Sequence, residues 1–182
     1  HDRGVISIVQ KQIGDDVIVV LIQRHLSLLF LFAEEIECCL ISVRRGIEGA
    51  LLRLRLPIIV GLVRHVVGET GVVGTLIKDE DLPTVAIRAE IDALPINEEN
   101  TFEYKSKNNG VMHACGHDGI TAVVLGLAKL LSENKDKLNC NVKFIFEPAE
   151  EVGKGAKKLI EEKVLEDPKV DNMIIFHFAN SD

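Results

Sequence analysis

From Gly71 onward, short β-branched runs alternate with segments of helical period, and this alternation limits the fold more than any other feature of the chain. The runs "GVVGTLI" (71–77), "TVAIRAE" (84–90), "NVKFIFE" (141–147) and "NMIIF" (172–176) carry the branched and aromatic residues that suit a pleated surface. After Asp118, "GITAVVLGLAKLLSENKDKL" repeats apolar residues at Val123, Leu127, Leu130 and Leu131, and "GKGAKKLIEEKVLE" (153–166) reads as a second helix ended by Asp167-Pro168. Strand, helix, strand, helix, strand predicts an α/β fold with a mixed, largely parallel sheet flanked by helices. The acidic "KDEDLP" between the first two runs suggests a hairpin or neighbouring strands, residues 96–110 a long surface loop or short hairpin, and Asp118 a helix N-cap.

The segment 15–67 is apolar and poor in turn signals, and it reads as two or three buried helices, with "IIVGLVRHV" (58–66) equally compatible with a strand. Within it, "DVIVVLIQRHLSLLFLF" (16–32) is nearly long enough to span a bilayer, but Gln23, Arg24 and His25 would sit in mid-membrane at a cost of several kcal/mol, so a buried helix is expected instead. With 182 residues the chain suits a single domain. A net charge of −7 argues against a phosphate-backbone ligand, and the arginines at 44, 45, 53, 55 and 64 make at most a small basic face. The mean hydropathy of +0.18 is high for a chain in water and predicts apolar surface awaiting a partner, a homo-oligomer included. Four irregularly spaced cysteines do not make a disulfide framework, so a reducing, cytoplasmic setting is expected. The opening at His1 suggests a fragment without a signal peptide, and no Gly-rich phosphate loop is present.

Polar clusters fall where the predicted strands end: Asp92 after the 84–90 run, Cys115 and His117 just before a helix, Glu150 and Glu151 after "VKFIFE", and His177 after "NMIIF". Strand carboxyl ends form the crevice of open α/β sheets. Converging there, a thiol, imidazoles and carboxylates would offer the ligand chemistry of zinc and its neighbours. Cys115 and His117, separated only by Gly116, could hold one cation or bridge two, although such a pair taken alone is as readily incidental. Of the Glu150-Glu151 pair, one acid could coordinate while the other handles a proton, or both could be acids favoured by a helix N-terminus. Asp92 could orient a ligating histidine or cap the turn at Leu94-Pro95. His113 could be a ligand, a substrate contact or a turn residue, and His177 a ligand or a core histidine. A thiol mechanism with Cys115 as nucleophile and His117 or His113 as base would leave both glutamates idle. Cys38, Cys39 and Cys140 read as packing residues.

In order along the chain, "TGVVGTL", "AIRAEIDALPINEE", "MHACGHDGITA" and "FIFEPAEEVGKGAKKLI" resemble the amidohydrolase branch of the M20 metallopeptidases, the group of hippurate hydrolases, N-acyl-amino-acid amidohydrolases and indole-acetyl-amino-acid hydrolases. The resemblance covers about residues 69–180 and leaves 1–68 poorly matched. It implies a zinc-peptidase-like catalytic domain with two divalent metal ions, zinc or manganese first and cobalt or nickel next, which activate a bridging water to cleave the amide of a small N-acyl amino acid. On that resemblance Cys115, His117, Glu151 and His177 are metal ligands, Glu150 is the general base and later proton donor, Asp92 orients a ligand, and His113 lines the substrate site. Three departures stand out: Ile120 replaces a usual histidine, "RHLSLLFLFAEEIE" only echoes the family's N-terminal motif, and the smaller dimerisation domain with a final histidine ligand is missing. The expectation is therefore a truncated catalytic domain with low turnover of its own; the alternative is a non-catalytic metal-binding or interaction remnant.

Overall fold

The computed structural model describes residues 8–12, 17–23 and 62–179. Strands β1 (Ile8–Gln12), β2 (Val17–Gln23), β3 (Leu62–Val67), β4 (Gly71–Leu76), β5 (Thr84–Glu90), β6 (Asn141–Glu147) and β7 (Asn172–Ala179) form one seven-stranded sheet in the order β1-β2-β7-β5-β6-β4-β3. Helices α1 (His117–Glu133) and α2 (Gly155–Glu161) complete the described elements, with a short 3-10 turn at Lys135–Lys137. The centre, β2-β7-β5-β6, is parallel, and both margins are antiparallel, so the sheet is mixed.

Strand β6 explains how this sheet is buried. Every residue of "NVKFIFE" is inaccessible, as expected of a strand covered on both faces. Val142, Phe144 and Phe146 point into a core with Leu76, Ile87, Ala89, Ile120, Val124 and Leu125, under α1. Ile145 points the other way, into a smaller core with Val73, Ala86, Leu159 and Val164 under α2. Phe144 is 0% exposed, and truncating such a side chain to alanine costs about 3–5 kcal/mol.

The two helices cover opposite faces because the chain reverses direction. From β5 it crosses by α1 to β6, and from β6 it returns by α2 past β5 to β7. Right-handed crossovers in opposite directions place their helices on opposite faces. The carboxyl ends of β5 and β6 therefore open a crevice at a topological switch point, where ligands of open α/β sheets bind.

Several expectations change. The runs at 71–77 and 84–90 are neither a hairpin nor neighbours, because β6 lies between β4 and β5 and pairs with both. Residues 17–23 form a strand rather than a buried helix, parallel to β7 on one side and antiparallel to β1 on the other. Residues 62–67 take the strand alternative, while 24–61, including the remaining helix expectation, Arg44, Arg45, Arg53 and Arg55 of the basic face, Cys38 and Cys39, lie outside the described residues. The 96–110 loop is pinched at its base by paired backbone bonds, Leu94 N to Met112 O at 2.9 Å and Met112 N to Leu94 O at 3.0 Å. Among the described residues no helix is long and apolar enough to cross a membrane.

Candidate metal centre

Helix α1 brings the first candidate ligand to the crevice. It begins at His117, and its N-cap is Gly116, at φ 87°, rather than Asp118. Asp118 lies in the first turn, where its Oδ1 accepts the Gly119 N–H at 2.9 Å and its charge suits the helix dipole. Gly116 is required twice over: its φ is left-handed, and a Cβ there would stand 2.6 Å from the Phe178 ring of β7. The glycine between Cys115 and His117 thus serves the seating of α1 on β7.

The His117 side chain is 1% exposed. Its Nδ1 lies 3.1 Å from the Asp92 carbonyl oxygen and 3.3 Å from Asp92 Oδ1. Both neighbours are acceptors, so Nδ1 must carry the ring proton, which leaves a lone pair on Nε2. Asp92 Oδ2 in turn accepts the Glu151 N–H at 3.0 Å. The Asp92 carbonyl thereby holds the imidazole, while its carboxylate holds the loop that carries the glutamates.

Glu150 and Glu151 sit outside any helix, because α2 starts only at Gly155, shorter at both ends than the 153–166 expected. They occupy a tight turn in which Gly153 N donates to Glu150 O at 2.8 Å, and Lys154 N and Gly155 N donate to Ala149 O at 3.1 and 3.2 Å. Ala149 holds φ 56°, a conformation that costs a side-chain-bearing residue about 1–2 kcal/mol. Glu150 Oε2 is 3.8 Å and Glu151 Oε1 3.7 Å from His117 Nε2.

Ligand atoms of Cys115, His117 and Glu151 all lie within 4.8 Å of one another. His117 Nε2 and Glu151 Oε1 are buried with no hydrogen-bond partner among the described residues. A lone pair facing two carboxylates at this range is repulsive until a proton or a cation is placed between them. A thiol, an imidazole and a carboxylate form a set that suits zinc-like ions, so the residues fit a divalent cation. Burial, the hydrogen bond to Glu151 and the charges of Glu151, Glu150 and Glu90 push the Cys115 thiol up to about 11. An activated nucleophile would need the opposite shift, whereas a coordinated cation deprotonates a thiol outright.

His177 is not in this trio. It lies inside β7, which runs on to Ala179 rather than ending at Phe176, and its Nδ1 stands 3.4 Å from Glu90 Oε1. His113 is half-buried on the loop before Cys115, outside the trio. Ile120 is fully buried in the α1 core. Cys140 packs against the same core, and both it and Cys115 are free thiols.

Sequence reasoning missed three charges beneath the centre, two of them buried carboxylates. Arg88 pairs with Glu90 and, through Nε at 2.7 Å, with Glu147 Oε2. Glu90 is 0% and Glu147 4% exposed. The available signal was charge inside apolar strands, "VAIRAE" and "KFIFE", on the face shared by Ala86 and Ile145. Beside the centre, a cavity of 360 Å³ is bordered by Gly68, Thr70, Ile91, Asp92, Pro148 and Ala149. A larger one of 620 Å³ lies within the 97–110 loop and touches none of these acids.

The model of peptidase family M20/M25/M40 matches residues 86–182. An N-acetyl-L-cysteine deacetylase of Bacillus subtilis is 45% identical over 115 residues, which is 63% of this chain and 27% of that protein. An IAA-amino acid hydrolase ILR1-like protein of Arabidopsis thaliana is 50% identical over 103 residues, 57% of this chain and 23% of its own length. Among solved structures, a Bacillus subtilis dinuclear metal binding peptidase from the M20 family superposes with a TM-score of 0.72 at 35% identity, covering 81% of this chain and 44% of that one. The chain thus spans about a quarter of the length of the curated relatives it matches.

Proposed function

Because the chain belongs to peptidase family M20/M25/M40, we propose that it is the catalytic portion of a metal-dependent amidohydrolase that cleaves the amide bond of N-acyl amino acids or similar small amides. The observation that carries the proposal is the buried, electron-rich meeting of His117 Nε2, Glu151 Oε1 and Cys115 at the switch point of the sheet. Cys115, His117 and Glu151 would hold one divalent cation, zinc or manganese, and His177 would serve a second, as the dinuclear relative suggests. When bound, such ions supply a Lewis acid for the carbonyl and lower the pKa of water toward neutrality.

The chain's own residues do the rest. Glu150 is the proton carrier: its side chain is 32% exposed against 22% for Glu151, so it is the acid that water and substrate reach. Its carboxylate takes a proton from the attacking water and returns it to the amine nitrogen as the C–N bond breaks. Asp92 keeps the His117 proton on Nδ1 and the glutamate turn in place. The 360 Å³ cavity beside Asp92 offers a wall for the small acyl or amino-acid part, and His113, outside that cavity, would line the substrate site. A reducing, cytoplasmic setting suits two free thiols, and a homo-oligomer suits the apolar composition.

Elemental analysis of the purified chain, alongside a panel of N-acetyl and N-benzoyl amino acids, tests this reading. Bound divalent metal and turnover that Glu150→Gln lowers by about 10²–10⁴-fold are expected. Tight metal without turnover, unchanged by Glu150→Gln, would instead make the domain a metal-holding remnant.

A further inference from the structure

We infer that Glu90 is the positioning residue for His177, so that the end of β5 backs both histidines of the centre: Asp92 holds His117, and Glu90 holds His177. The inference rests on the proposal that His177 serves a cation. Its own support is the burial and pairing of Glu90. A carboxylate that is 0% exposed is costly unless its charge is used. Arg88 neutralises one such charge, yet it also pairs with Glu147 at 2.7 Å, so one guanidinium faces two buried carboxylates. Balancing Arg88 therefore requires only one of them, and Glu147 is already in place.

Glu90 has a second neighbour. In the parallel pairing of β5 with β7, Arg88 lies opposite Ile175, and two residues further along the same face stand Glu90 and His177. Their contact, Oε1 to Nδ1, is 3.4 Å. Glu90 Oε1 can only accept, so the Nδ1–H of His177 donates and Nε2 keeps the lone pair a cation needs. Arg88 anchors Glu90 from below, and Glu90 Oε2 remains buried without a hydrogen-bond partner among the described residues. Two histidines on different elements, α1 and β7, are thereby set to the same tautomer by residues two positions apart at one strand end, the Asp92 carbonyl and the Glu90 carboxylate.

Long-range ¹H–¹⁵N spectra of the metal-free chain, recorded where imidazole is neutral at about pH 8.5, read the tautomer of His177 without any substitution. Isothermal titration with Zn²⁺ alone, on the wild type and on Glu90→Gln, reads the consequence. The expected result is an Nδ1–H tautomer at His177 in the wild type, a mixture of tautomers in Glu90→Gln with His117 unchanged, and a loss of about 10- to 100-fold in Zn²⁺ affinity, with Glu90→Asp closer to wild type. An Nε2–H tautomer at His177 in the wild type, or an unaltered affinity in Glu90→Gln, overturns the inference. A wild type that keeps the Nδ1–H tautomer yet binds no Zn²⁺ overturns the metal reading and leaves the Glu90–His177 contact standing.

Discussion

The two ends of strand β6 bury polar side chains in opposite ways. At its amino end, Asn141 is 2% exposed and makes four bonds: Oδ1 accepts from Lys78 N at 2.7 Å and Asp79 N at 3.1 Å, and Nδ2 donates to Asp79 O at 2.8 Å and Leu82 O at 3.0 Å. Two residues on, the buried ammonium of Lys143 donates to Val164 O and Pro168 O, each at 2.7 Å. Beyond its carboxyl end, His117, Glu151, Asp92 and Glu90 each keep a buried atom with no hydrogen-bond partner among the described residues. Saturated polar groups hold a fold together. Groups left unsaturated together, in one crevice, are a cost retained for something that binds there.

The sharpest way to break this contrast is at the saturated end. Asn141→Ala strands two N–H groups and two carbonyls, and a loss of about 3 kcal/mol is expected in urea denaturation; a neutral result would make the amino end no different from the other. Next, divalent metal at about 100 times its Kd should raise the stability of the wild type by about 2.7 kcal/mol, seen as an upward shift in thermal midpoint that Cys115→Ser weakens. At the unsaturated end, Glu151→Gln should stabilise the metal-free chain by up to about 1 kcal/mol, since the new amide can donate to His117 Nε2. The same substitution should remove the metal-induced shift; a destabilised metal-free variant would refute the contrast.

The last effect is a pH dependence. The Cys115 thiol is raised from 9.0 to about 11 in the folded chain, so folding favours its protonated form. That contribution is complete below about pH 9 and is lost as the pH rises through about 11. Metal-free wild type should therefore lose stability across this window more steeply than Cys115→Ser, in denaturation midpoints measured at successive pH values.

The trio Cys115, His117 and Glu151, with Asp92 and Glu150 around it, was legible in the sequence because each residue follows a strand end or opens a helix, where backbone geometry alone brings it to the crevice. Strand order was not legible. That β6 inserts between β4 and β5 depends on pairing across more than fifty residues, which no local pattern encodes. Residues 17–23 misled because "VIVVLI" is one continuous apolar run, without the alternation that separates strand from helix. Glu90 escaped notice because a glutamate closing an apolar run ordinarily points to solvent. Only the parallel neighbour β7 makes it an interior residue beside His177.

The contact of Phe178 with Gly116 also sets a schedule. Ribosomal synthesis delivers the chain from its amino end, so the thiol, the first imidazole and the glutamate turn all emerge before β7 exists. β4, β6 and β5 can pair among themselves at that stage, but the surface on which the start of α1 rests follows them in the chain, together with His177. A nascent chain therefore carries Cys115, His117 and the glutamate turn without the wall that seats the start of α1, until β7 has emerged.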